Sequence, residues 1–434
     1  MDHFMGKRVG NRPRTPGSRK KVKGSGRPTS TKSSGLEEPS IPACWRRVDW
    51  QKGFRRRLLG WFDRNKRDLP WRRTKDPYAI WLSEIMLQQT QTPTVVRYFE
   101  RFLAAFPTVH ALAQADQAAV LRLWEGLGYY RRAVQLHEAA RKIVSEFGGQ
   151  FPQTLDELLQ LPGIGRYTAG AILSIAFDQR QPILEANTLR LWARLLAYPE
   201  PTGSASAQRL FWQMAEWVLP HRQVGRFNQA LMELGSTVCL PRQPRCPECP
   251  VSRFCLARQQ GLQKSIPRQR SKPAVEFCQE VALIVRRNGH VLLQRIPEGQ
   301  RWAGLWDFPR FELPPEFARP LAEADRAIPP AMGKFLVHQM GQTGIVVRPI
   351  RRLKTIRYAV TRYRVQRDCY EAEYVGRMDR AEDKTGGLEQ HEDSLNAWAA
   401  GSDQPAEPLG EFHWVRLEAL ERYPMSSPAR KLSS

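Results

Sequence analysis

Four cysteines constrain this chain more than any other feature. Cys239, Cys246, Cys249 and Cys255 follow the pattern C-x6-C-x2-C-x5-C, a spacing short enough for one loop to wrap a single compact centre with four thiolates. Four soft sulfur ligands suit zinc or an iron-sulfur cluster, and their chemistry alone does not choose between the two. Arg242, Arg245 and Arg253 alternate with the ligands, so the loop also offers positive charge to phosphates. Cys44, Cys278 and Cys369 lie in unrelated segments and read as ordinary residues. An odd total of seven, four of them clustered, fits a reducing compartment and a metal site rather than a disulfide framework.

Lysine and arginine number 67 against 43 aspartates and glutamates, a net charge of +24. That excess favours a polyanionic partner, nucleic acid ahead of an anionic membrane surface. No run approaches the roughly 20 apolar residues of a membrane helix, and the N-terminus lacks the apolar core of a signal peptide. A soluble intracellular protein without a membrane partner is therefore expected, cytoplasmic and nucleoid-associated if bacterial. At 434 residues the chain also exceeds one ordinary core.

The texture divides accordingly. Residues 1–44 mix arginine and lysine with Gly, Ser, Pro and Thr and read as a disordered basic tail. Residues 45–257 show repeated helical stretches broken by Gly and Pro turns, which predicts an all-helical domain. A polar, basic stretch with Pro267 and Pro273 marks a linker over 258–275. Residues 276–434 bring short β-branched runs, Val281-Ala282-Leu283-Ile284-Val285, Val291-Leu292-Leu293 and Thr355 to Val365, which predict a mixed α+β domain. Within it, about 378–408 turns acidic and Gly-rich and reads as a surface insertion.

Two further segments carry chemistry. Leu161-Pro162-Gly163-Ile164-Gly165-Arg166-Tyr167-Thr168 sets a Gly-x-Gly turn before an apolar helix, where backbone amides and the positive helix end hold a phosphate without reading sequence. Leu82-Ser83-Glu84-Ile85-Met86-Leu87-Gln88-Gln89-Thr90 places a lone acid on an otherwise apolar and amide-bearing helix, a setting that raises a carboxyl pKa enough to retain a proton.

The cysteine spacing and the hairpin together resemble the endonuclease III and MutY superfamily of DNA glycosylases, and the Glu84 segment resembles the MutY-type adenine glycosylases within it. The resemblance covers about residues 48 to 432 and is tighter before the linker than after it. It implies a helix-hairpin-helix glycosylase fold, with a six-helix module at about 73–184 and a cluster module from 45–72 plus 185–257. It also implies a structural 4Fe-4S cluster on Cys239, Cys246, Cys249 and Cys255. Bifunctional relatives carry a Schiff-base lysine where this chain has Tyr167, so a monofunctional enzyme is expected.

By the same resemblance Glu84 protonates adenine. Tyr167 and Asn187 help hold the site, although packing and helix capping would account for them equally. Arg67, Leu69, Trp71 and Arg72 lie near the adenine pocket, and Trp71 could instead be core. Gln89 and Thr90 enter the duplex beside oxidised guanine. Leu123-Trp124-Glu125-Gly126-Leu127-Gly128-Tyr129-Tyr130 resembles the intercalating loop, with Tyr129 as the inserted residue and Leu127 beside it on DNA.

The chain departs from the family in two places. Its usual Asp-Gly-Asn is Glu185-Ala186-Asn187 here, which keeps the charge that would stabilise a sugar cation but lengthens the reach by one methylene. Trp302-Ala303-Gly304-Leu305-Trp306-Asp307-Phe308-Pro309 resembles the Nudix-like domain that reads oxidised guanine, without the Glu-rich box of a Nudix hydrolase. The recognition loop is best matched by Val360-Thr361-Arg362, which keeps a hydroxyl at Thr361 and replaces histidine by Arg362.

The expected activity is hydrolysis of the N-glycosidic bond of adenine mispaired with 8-oxoguanine or guanine in double-stranded DNA, by a monomer. The alternatives are an impaired lesion-binding protein, because of Glu185, and an endonuclease III-like lyase.

Overall fold

The computed structural model describes residues 41–268, 274–314, 317, 326–377 and 412–433. The basic tail up to residue 40 and the expected insertion over about 378–408 lie outside them. Cys44, assigned to that tail, belongs instead to a short helix α1 (Ala43–Arg46), because the neighbouring Trp45 is fully buried and draws the segment into the core.

Eleven further helices of the helical half follow in order: α2 (Val48–Asn65), α3 (Pro77–Leu87), α4 (Thr92–Ala105), α5 (Val109–Gln114), α6 (Gln117–Trp124), α7 (Arg131–Phe147), α8 (Leu155–Leu159), α9 (Arg166–Phe177), α10 (Ala186–Leu195), α11 (Ala205–Trp217) and α12 (Val224–Thr237). A short α13 (Leu256–Gln259) closes the cysteine loop. Helix α2 buries Gln51, Phe54, Leu58, Trp61 and Phe62, the i, i+3, i+4 stripe of a helix with one face on a core.

Two large cores form, with a smaller one of Ile80, Ala171, Ile175 and Ile183 between α3 and α9. One runs from Leu69 to Leu173 and takes in Ile296 and Leu305 from the second half of the chain. The other joins Trp45, Phe54 and Leu58 to residues from Leu184 through Phe254, so the beginning and end of the helical half build one module together. Leu69 and Trp71 belong to the first core, Trp71 packing edge-on against Phe99 with ring centroids 5.3 Å apart. Helix α3 is buried from Tyr78 to Met86 on all sides, since it lies at the meeting of the modules against α9.

The expected linker begins later than composition predicted. Ile266 is buried in the second core, and its carbonyl accepts Arg194 Nε at 2.8 Å. Residues 258–266 therefore stay with the cysteine module.

After the linker, the described residues form a seven-stranded sheet of β1 (Glu276–Arg287), β2 (His290–Arg295), β3 (Trp306–Asp307), β4 (Arg310–Glu312), β5 (Ile345–Val360), β6 (Tyr363–Arg377) and β7 (Phe412–Arg416). The order is β3-β2-β1-β6-β5, with β4 on β1 and β7 on β2. Strands β1 and β6 pair in parallel from Glu276↔Tyr363 to Arg286↔Glu373.

Alternate residues of β1 enter different cores. Val281, Leu283 and Val285 meet α14 (Pro330–Gly341), while Ala282 and Ile284 meet Leu420, Met425 and α15 (Ser427–Ser433). Burial on both faces is why that segment reads as a continuous apolar run. The stretch Thr355 to Val365, expected as one strand, is the tip of the β5–β6 hairpin, which turns at Thr361 with φ 51°.

Candidate active site

Glu84, Tyr167, Glu185 and Asn187 come from three helices and meet between the two modules. Glu84 lies inside α3 and is only 4% exposed. The Tyr167 hydroxyl, on the first turn of α9, donates to Glu84 Oε2 at 2.6 Å and stands 3.2 Å from Met232 Sδ on α12. Burial pushes the Glu84 carboxyl up to about 7, the nearby Glu185 adds to this, and the Tyr167 hydrogen bond and Arg72 oppose it. Near neutral pH this group carries a proton part of the time and can hand it on.

Glu185 has different surroundings. It caps α10, its Oε1 accepting Thr188 N–H at 2.8 Å and its Oε2 accepting Asn187 N–H at 2.7 Å and Asn187 Nδ2 at 3.0 Å. The Thr188 hydroxyl reciprocates by accepting Glu185 N–H at 2.9 Å, completing a capping box. Glutamate reaches back to its own helix end because of its extra methylene. Burial is the largest influence and leaves its pKa raised, although these donors and Arg190 pull against it, as does the helix dipole.

Helix capping, expected as an alternative role for Asn187, falls to Glu185. Asn187 supports it, its Oδ1 accepting Arg190 Nη2 at 3.0 Å. Gly235 on α12 makes this packing possible, since a Cβ there would stand 2.9 Å from Asn187 Cβ.

One buried acid that fixes the site was missed in the sequence. Glu233 on α12, with a fully buried side chain, binds Arg67 Nε at 2.9 Å, Arg67 Nη2 at 2.8 Å and Arg72 Nη2 at 2.8 Å. These cations hold its pKa down to about 2 against the burial that would raise it. It is a lone acid on an apolar helix, the same signal that marked Glu84. Through it the Arg67-to-Arg72 turn is fixed beside the carboxylates, with Leu69 and Trp71 facing inward as core.

The Gln89–Thr90 turn and the Gly126–Tyr130 turn are joined by Arg132, another residue given no role from sequence. Its guanidinium donates to the carbonyls of Ile85, Met86 and Gln88 and to Thr90 Oγ1 on one side, and to Gly128 O on the other. Gln89 and Tyr129 stand exposed at the tips, both in the left-handed region with φ 58° and 49°. Leu127 is 6% exposed and belongs to the core, so only its neighbour Tyr129 projects. In the hairpin before α9, Gly163 takes φ 76° and, like Gly165, lies exposed.

None of the four clustered cysteines is in a disulfide, and all line one cavity with Leu191, Arg194, Arg245 and Arg258. Arg194 Nη1 stands 3.3 Å from Cys239 Sγ, and Cys255 Sγ lies 3.3 Å from Arg194 O. Among the described residues no group of three or more His, Cys, Asp or Glu side chains is placed to hold a metal ion. The four-cysteine donor set fits a polynuclear thiolate-bound centre.

Thr361 and Arg362 are exposed at the tip of the β5–β6 hairpin, where Arg362 pairs with Glu276 at 3.1 Å. They belong to the second domain and are not part of the carboxylate cluster.

The chain matches the family described as HhH-GPD superfamily base excision DNA repair protein over residues 82–216 and the NUDIX domain family over residues 280–434. It is 47% identical over 235 residues to the adenine DNA glycosylase of Rattus norvegicus, covering 52% of this chain and 45% of that protein. It is 34% identical over 260 residues to the adenine DNA glycosylase of Buchnera aphidicola subsp. Schizaphis graminum, covering 60% of this chain and 75% of that protein. The match thus spans less than half the length of the rat relative. Among solved structures, a thermostable thymine-DNA glycosylase is similar at 28% identity and a TM-score of 0.44, over 48% of this chain and 97% of that one.

Proposed function

The chain belongs to the adenine DNA glycosylase family, and from that premise we propose that it acts in base excision repair as a monofunctional glycosylase. Its substrate is adenine mispaired with 8-oxoguanine or guanine in double-stranded DNA, its product an abasic site, and it works as a monomer. The observation that carries this reading is the Glu84 carboxyl, buried, raised to about 7 and held 2.6 Å from the Tyr167 hydroxyl.

Capture begins through basic surface and the amides of the Gly163–Gly165 turn. The duplex is then opened by the Gln89 and Tyr129 turns, and the adenine leaves the stack. Glu84 donates its proton to the departing base, and the anionic Glu185 stabilises positive charge growing on the sugar. Water attacks the sugar to complete hydrolysis. Tyr167 orients the acid and, having no amine, forms no Schiff base.

Cys239, Cys246, Cys249 and Cys255 would hold a 4Fe-4S cluster that stiffens the loop bearing Arg242, Arg245 and Arg253. Thr361 and Arg362 would address the oxidised guanine, the arginine offering donors to its carbonyl groups.

Both oxygens of Glu185 are engaged by its own helix end, and this favours a second reading, lesion binding with little catalysis. Single-turnover release of adenine opposite 8-oxoguanine, opposite guanine and opposite thymine separates the two. Release from the first, slower from the second and absent from the third supports the enzyme. Tight binding without release supports the second reading. Strand breaks before alkali, or a borohydride-trapped adduct, would instead indicate a lyase.

A further inference from the structure

Beyond its own support, the intercalating turn is held from the second domain. Within the helical half, Trp124 Nε1 donates to Gly128 O at 3.1 Å and the Tyr98 hydroxyl to Glu125 O at 2.7 Å. From the other domain, Arg430 on α15 grips Glu125 with two parallel bonds, Nε to Oε1 at 2.8 Å and Nη2 to Oε2 at 2.9 Å. The Tyr130 hydroxyl donates to Met425 O at 3.3 Å and accepts Gly126 N–H at 3.2 Å. Arg122 Nη1 reaches Arg422 O at 3.0 Å.

The gripping segment is itself rigid. Met425 is fully buried, Trp306 N–H bonds to Pro424 O at 2.9 Å, and Arg430 also donates to the carbonyls of Leu420 and Tyr423. Between the gripped residues sits exposed Tyr129 in a left-handed backbone, a conformation that persists only where its surroundings enforce it.

We propose that Arg430 is a positioning residue for base eviction: it clamps and neutralises Glu125 so that the second domain holds the Tyr129 turn ready to enter the duplex. Two effects combine. A bidentate guanidinium-carboxylate pair is directional and half-buried here, so it fixes the turn. It also cancels a negative charge four residues from the inserted ring, a charge that would otherwise repel phosphates. Eviction by Tyr129 and lesion reading by the hairpin then belong to one rigid unit.

This rests on the glycosylase reading, so the test has one arm that needs no activity. In the free full-length protein, hydrogen exchange at Gly126 and Leu127 is expected to rise roughly tenfold in Arg430→Ala while the rest of the helical half is unchanged. Unchanged exchange overturns the clamp, whether or not the wild type releases adenine.

In the second arm, 2-aminopurine replaces the target adenine opposite 8-oxoguanine, and its fluorescence reports eviction. Arg430→Ala is expected to slow eviction about tenfold and to add less than about twofold in a Tyr129→Ala background. Equal slowing in both backgrounds overturns the proposal. Should Arg430→Ala fold poorly, Glu125→Gln breaks the same pair without shortening a side chain, and the double reversal Glu125→Arg with Arg430→Glu is expected to restore the exchange protection. If neither Arg430→Ala nor Glu125→Gln raises exchange at Gly126 and Leu127, the clamp is overturned equally.

Discussion

Glu84 and Glu185 are the same residue type placed in opposite surroundings. Glu84 sits in the middle of α3, where every backbone N–H is already spent in the helix, and it has one hydrogen-bond partner, the Tyr167 hydroxyl. Glu185 sits at the start of α10, where unspent N–H groups converge, and accepts three donors. Burial raises both carboxyls, but at Glu185 the helix-end donors offset part of that rise, whereas Glu84 has one hydrogen bond against it. The proposed division of labour, Glu84 as the acid and Glu185 as the ion-stabilising carboxylate, rests on this difference in position.

Glu84→Gln cuts deepest into that contrast, because amide cannot donate as an acid. Single-turnover adenine release is expected to fall by roughly 10²- to 10⁴-fold, with binding to the mispair retained. Glu185→Gln, read in the same assay, removes the anion but keeps much of the cap, and a loss of about 10²- to 10³-fold is expected. Glu185→Asp keeps the charge with a shorter reach and is expected to stay within about tenfold of wild type. A Glu185→Gln enzyme as active as wild type would dissolve the contrast.

Tyr167→Phe sharpens it. The lost hydrogen bond favoured the ionised form of Glu84, so its removal raises the carboxyl further. The high-pH limb of the rate profile, which falls as the acid is deprotonated, is expected to move up by about one pH unit.

Stability gives the smallest signal. Glu84 is pushed above its ordinary 4.5 to about 7, so its ionisation burdens the folded state, by nothing below pH 4.5 and by on the order of 3 kcal/mol above pH 7. Glu84→Gln is therefore expected to raise the melting temperature at pH 8 by a few degrees and to leave it unchanged at pH 4.5.

What was legible in the sequence was local. The cysteine loop, the Gly163–Gly165 turn and Glu84 are each announced by neighbours within a dozen residues. The two halves were visible because helical periodicity gives way to β-branched runs. Pairings across long separations were not visible. Glu233 meets Arg67 from 166 residues away, and Glu84 meets Tyr167 from 83. Glu185 as the cap of its own helix was missed because a cap depends on a side-chain rotamer, and glutamate is not among the residues that favour that position. The hairpin turn at Thr361 lacks the Asn-Gly or Asp-Gly that usually marks one, so two strands read as one. Cys44 and Ile266 escaped because both lie in polar segments and are drawn into a core built elsewhere.

The most direct measurement of the divided roles is the titration of Glu84 itself, by difference infrared spectroscopy of the carboxyl stretch between wild type and Glu84→Gln in the full-length protein. A midpoint near 7, moving upward in Tyr167→Phe, is expected. A midpoint at the ordinary glutamate value of 4.5 would leave Glu84 ionised at neutral pH and contradict its role as the proton donor.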